Sequence, residues 1–204
     1  MAAPGTRGLL RWSLLLSAWP LWIFLASCAS LKIPVNAPAG SRPTFRASRE
    51  GVTLGAHAIE GRESYWELFD DELPLIGIAA MWVRIENSRA GPIDLSDLTW
   101  TLQSGSETFS GLSVDQVLER YYERRGVRFY SLNSDRKTRE DLERVTLKGG
   151  LLPASAVDQG FVFLEVDQFS GHGWSRGARL FARGIRLESR QRIQFEFSPV
   201  DAQP

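Results

Sequence analysis

The sequence predicts an all-β fold, a single antiparallel β-sandwich of seven or eight strands with a helical insertion around residues 113–144. Three observations carry that expectation. Apolar and polar residues alternate with period two in several short runs, as half-buried strands require. Gly, Pro and Ser clusters punctuate those runs. No regular succession of helices separates the strands, which argues against a parallel α/β sheet.

Val52, Leu54, Ala56 and Ala58 begin the series, with His57 among the intervening positions. Met81, Val83 and Ile85 share one face of a strand expected from Ile76 to Glu86. Leu98, Trp100 and Leu102 alternate with Thr99, Thr101 and Gln103. Val145 with Leu147 reads as a further short strand. The stretch Phe161 to Val166 is apolar on both faces, which suits a central strand. Leu180 to Leu187 follows, and Ile193, Phe195 and Phe197 close the set against Arg192, Gln194, Glu196 and Ser198. Turn chemistry separates them at Gly91-Pro92, Gly149-Gly150 and Ser170-Gly171-His172-Gly173.

Between the strands, Val114, Val117, Leu118, Tyr121 and Tyr122 fall at helical spacing. Ser113 and Gln116 form a capping-box pair, and Gly126 is placed to end the helix. Arg120, Arg124, Arg125 and Arg128 lie where they complement the negative end of its dipole. A second, more polar helix is expected over Thr138 to Arg144, with Leu142 alone turned inward.

The start of the chain has a different character. Arg7 and Arg11 precede an apolar stretch from Trp12 to Ala26, about the length of an export-signal core and short for a membrane-spanning helix of roughly 20 residues. The chain's only cysteine, Cys28, stands where that stretch ends. Leu25-Ala26-Ser27-Cys28 resembles the lipobox of bacterial lipoproteins. The resemblance implies a signal peptide over residues 1–27 and acylation of the Cys28 sulfur and new amino terminus. Cleavage after Ala29 by an ordinary signal peptidase, or retention of the segment as an anchor, are the competing readings. With no Asp after Cys28, the resemblance implies an outer-membrane address facing the periplasm. Residues 28–50 then read as the lipidated cysteine and an extended tether, with Pro34, Pro38 and Pro43 among Ala, Gly and Ser. That tether would hold the domain, residues 51–200, tens of ångströms off the bilayer.

A second resemblance covers the domain. The run Val83-Arg84-Ile85-Glu86-Asn87, the Leu152-Pro153-Ala154-Ser155 turn and the following Gly160 to Val166 strand are similar to the telokin-like, immunoglobulin-type sandwiches carried by many bacterial lipoproteins. It implies an immunoglobulin-like fold and an envelope setting, and no chemistry.

Composition excludes several function classes. With no cysteine beyond Cys28, the domain has no disulfide framework or thiolate metal site. His57 and His172 are the only histidines and lie far outside metal-motif spacing, so no metal and no cofactor is expected. Losing Arg7 and Arg11 takes the 24 basic residues to 22 against 24 acidic ones, a net charge near −2 and no footprint for nucleic acid. No nucleophile elbow is present.

Three functions remain. The first is a lipid-anchored cell-envelope protein with a structural or protein-interaction role and no catalysis. Its partners would be the membrane, through the acyl chains on Cys28, and another envelope protein. The second is a small-ligand or glycan-binding module using the 170–177 loop, with His172, Trp174 and Arg176 as contact residues. The third is a wall-polymer hydrolase using Asp70, Asp71 or Glu72, although adjacent acids in one loop lack the opposed geometry such chemistry needs. The run Arg176, Arg179, Arg183, Arg186, Arg190 and Arg192 reads either as edge-protecting charge or as a positive face for an anionic partner.

Overall fold

The structure is a computed structural model describing residues 31–34, 38, 43–126, 132–166 and 173–197. Cys28 and His172 lie outside the described residues.

Among the described residues ten antiparallel strands form one sheet folded into two layers, nine along a single hydrogen-bonded path and the tenth paired beside it. The first layer orders β1 (Phe45–Arg49), β2 (Val52–Ala58), β3 (Ile78–Asn87) and β8 (Val157–Glu165). The second gathers β5 (Thr99–Ser104), β9 (Arg179–Leu187) and β10 (Arg192–Phe197) with the two-residue strands β4 (Ile93–Asp94) and β7 (Leu151–Leu152). The strand between them, β6 (Glu107–Leu112), belongs to both. Its residues 107–110 pair with β5, and Gly111 and Leu112 pair with Leu164 and Phe163 of β8. Among the described residues eight strands have five residues or more; six of them carry the runs predicted from the sequence, and β1 and β6 do not.

Two cores explain the apolar patterns. Between the layers lie Val52, Leu54 and Ala56 of β2, Met81, Val83 and Ile85 of β3, and Leu180, Ala182, Phe195 and Phe197 from the other side. The outer face of the first layer carries Ile78, Ala80, Phe161 and Phe163, buried under helices. β3 and β8 therefore bury both faces over part of their length, and this is why the Phe161 run is apolar at every position.

The helical layer comprises α1 (Arg62–Phe69), a 3-10 turn (Leu73–Ile76), α2 (Val114–Arg125) and α3 (Leu132–Val145). α2 starts in the predicted capping box: Gln116 N–H donates to Ser113 Oγ and Ser113 N–H to Gln116 Oε1. It ends on Gly126 at φ 66°. Its arginines do more than complement a dipole. Arg120 donates to the Gly77 carbonyl and pairs with Glu165 at 2.7 Å, and Arg125 pairs with the largely buried Asp71. α1 lies across the first layer with Tyr65 fully buried, and the Ala80 N–H donates to the Tyr65 hydroxyl oxygen at 3.0 Å.

Three sequence expectations need correction. Val145 ends α3 rather than starting a strand, and beside it Thr146 makes a single parallel bridge to Phe161. Asp70, Asp71 and Glu72 do not lie in a loop between strands; they join α1 to the 3-10 turn, with Asp70 as the helix C-cap and Glu72 paired with Arg62 at 3.2 Å. The folded unit also begins before Gly51. Phe45–Arg49 pairs along its whole length with β2, and Leu31, inside the span read as tether, is buried in the helix-covered core.

The motifs behind the domain resemblance touch one another. Asn87, fully buried at the end of β3, donates to the carbonyls of Gly91 (3.0 Å), Leu152 (3.3 Å) and Pro153 (2.8 Å) and accepts from Arg89 N–H. It ties the close of β3 to the turn that opens β8. Asn87→Ala is expected to cost about 1–3 kcal/mol, because it leaves carbonyls at the close of β3 without a donor. A lowered urea midpoint at unchanged slope would register it.

Candidate functional site

The bulge in β9 builds the most chemically distinctive surface. Through Leu180 and Ala182 the strand turns even-numbered residues inward; past Gly184, Ile185 and Leu187 are the buried ones. The register shifts there, with Ile193 opposite Ile185 and Gln194 opposite Arg183. Gly184 is the extra residue, at φ 95°, in the left-handed region that glycine enters without strain. Because of this phase change Arg183 and Arg186 both project from the outer face.

Arg192 and Gln194 of β10 flank them, Asp97 comes from the β4–β5 connection, and Arg49 reaches in from the end of β1. Arg49, Asp97, Thr99, Arg183, Arg192 and Gln194 line a cavity of about 530 Å³, with Arg186 held beside it by Asp97. Asp97 accepts from Arg186 and lies 3.9 Å from Arg192. Arg183 stacks over the Phe181 ring at 5.3 Å, and Arg179 pairs with Glu196 at 3.3 Å. Among the described residues neither Arg49 nor Arg183 has a carboxylate partner, and the buried Arg186 Nε lacks an acceptor. Three guanidinium groups, of Arg49, Arg183 and Arg192, thus line the cavity with one carboxylate, that of Asp97. Such a pocket can hold a carboxylate or phosphate through charge-assisted, forked hydrogen bonds.

A second concavity of about 370 Å³ lies on the outer face of the first layer, beyond the helices. His57 and Trp82, opposite each other on β2 and β3, form its floor with Arg84 and Glu86.

Of the sequence-predicted contact residues, the described Trp174 and Arg176 line neither concavity. Trp174 is a core residue, 3% exposed, and its indole N–H donates to the Ile59 carbonyl at 2.9 Å. Ser175 next to it donates through its backbone and hydroxyl to Glu60. Arg176 is exposed. Among the described residues of this segment, Trp174 has a packing role. Asp71 is committed to Arg125 and abuts Tyr121. Burial and the Asp71 charge push the Tyr121 hydroxyl up to about 12. Among the described residues no three His, Cys, Asp or Glu side chains converge as metal ligands, and no helix is long and apolar enough to cross a membrane.

The arginine run was visible in the sequence, but Arg49 and Asp97 were not part of it, since they lie far away in the chain. The signal that could have joined the run into one site is Gly184 between Arg183 and Ile185, where inward phase changes parity.

No family profile matches the chain, and no curated protein matches it. Among solved structures, a candidate lipoprotein, ycdA, from Bacillus subtilis subsp. subtilis str. 168 aligns with TM-score 0.39 and 11% identity, over 79% of this chain and 40% of its own length. A functionally unknown protein from Listeria monocytogenes EGD-e aligns with TM-score 0.39 and 11% identity, over 78% of this chain and 84% of its own.

Proposed function

We propose that this protein is a lipid-anchored, non-catalytic binding module of the bacterial cell envelope, which engages an acidic partner protein through the arginine pocket on β9 and β10. The observation that carries the binding role is the pocket itself, with Arg49 and Arg183 free of carboxylates among the described residues. The anchor rests on Leu25-Ala26-Ser27-Cys28 at the end of the apolar core, and an outer-membrane site facing the periplasm rests on Ala29 and Ser30 after it. The Asn87 contact with the Leu152-Pro153 turn supports a telokin-like, immunoglobulin-type classification. A non-catalytic role agrees with Asp71 and Glu72 being engaged in ion pairs within the fold.

The test is cross-linking in intact envelopes followed by recovery of the protein. The wild type is expected to bring down one recurrent acidic partner, and R49E/R183E to lose it at least tenfold with unchanged thermal stability. Equal recovery by both proteins refutes the pocket assignment. The C28S variant is expected to leave the membrane fraction; retention there refutes the anchor.

A further inference from the structure

The chain between Cys28 and the folded unit is very short. Leu31 is 4% exposed and packs with Ile59, Tyr65 and Phe69 in the helix-covered core, where Ile33 joins it. Lys32 Nζ donates to the Glu67 carbonyl of α1 at 3.1 Å. Three residue steps separate Cys28 from Leu31, and a fully extended chain covers at most about 3.6 Å per step, so the leash is no longer than roughly 11 Å.

An acylated cysteine sits at headgroup depth. A leash of that length brings the surface on which Leu31 and Lys32 dock to the bilayer. Four large apolar side chains are strongly exposed among the described residues, and two belong to that segment: Trp66 on α1 at 43% and Leu75 on the 3-10 turn at 46%. Tryptophan, with its apolar ring and polar N–H, is suited to a membrane–water interface.

We propose that α1 and the 3-10 turn dock on the bilayer that holds Cys28, with Trp66 and Leu75 set into the interface. The proposal rests on acylation of Cys28. The occupant is the host membrane, fixed by the leash length. Glu63 and Glu67 are exposed on the same helix, so attraction to anionic headgroups does not drive the docking; the acyl chains hold the domain close, and the two apolar side chains orient it. The sequence reading of a long tether is thereby replaced by a domain lying on the membrane surface.

The experiment uses the full-length acylated protein in phosphatidylcholine vesicles, with nitroxide labels at W66C, at L75C and, as a reference in the β9–β10 turn, at S189C. Intact mass of each preparation reads the acylation state of Cys28. Power-saturation measurements are expected to give a several-fold higher ratio of oxygen to aqueous-nickel accessibility at 66 and 75 than at 189. Equal ratios at all three sites, with Cys28 acylated, overturn the docking alone. An unmodified Cys28 overturns the docking and the anchor together.

Discussion

Gly184→Ala is expected to unfold the β9 bulge and lower the stability of the whole domain by about 3 kcal/mol or more. Two costs combine. At φ 95° a β-carbon strains the backbone by roughly 1–3 kcal/mol. The same β-carbon falls inside hard contact of the Asp97 carbonyl oxygen and 2.7 Å from the Asp97 carbonyl carbon. That neighbour is backbone, so it cannot swing aside, and such overpacking costs a further ~1–3 kcal/mol. Chemical denaturation measures the first effect. The second is local: because Asp97 also holds Arg186, its displacement scatters the pocket. Under the proposed function, Gly184→Ala should therefore lose recovery of an acidic partner even at temperatures where the domain stays folded, whereas Gly105→Ala, in a turn with open space around it, should retain it.

Trp174→Ala is expected to destabilise the fold by about 3–5 kcal/mol, the usual range for removing a buried aromatic ring. Its side chain fills the core near β2, and its N–H satisfies the Ile59 carbonyl. Trp174→Phe should recover most of the packing and leave only the hydrogen-bond loss, about 1 kcal/mol. Urea midpoints of the two variants separate these contributions. A surface tryptophan would behave differently, with both substitutions nearly silent in stability.

The elements most legible in the sequence are those whose own residues carry the signal. β3, β9 and β10 show period two because each has a face on the inter-layer core, and α2 declares both its ends through Ser113, Gln116 and Gly126. α1 was missed because Gly61 at its N-cap offers no side-chain cap and only Tyr65 and Phe69 are buried in eight residues. β1 hid behind Pro38 and Pro43, with Phe45 its one fully buried side chain. β6 shows no alternation, since it has only Phe109 in the core. At the arginine pocket, sequence supplied the charges, but only the fold supplied their convergence, because Arg49, Asp97 and Arg183 come from three separate strand regions.

In the proposed docking, with the helices toward the bilayer, the two β layers would stack outward in order and the arginine pocket would face solution. β6 then acquires a mechanical meaning. One unbroken stretch of peptide is stitched into the inner layer at one end and the outer layer at the other. Under the proposed anchoring, a pull on the outer layer would load that strand in tension, so the two layers would not slide apart like loose plates.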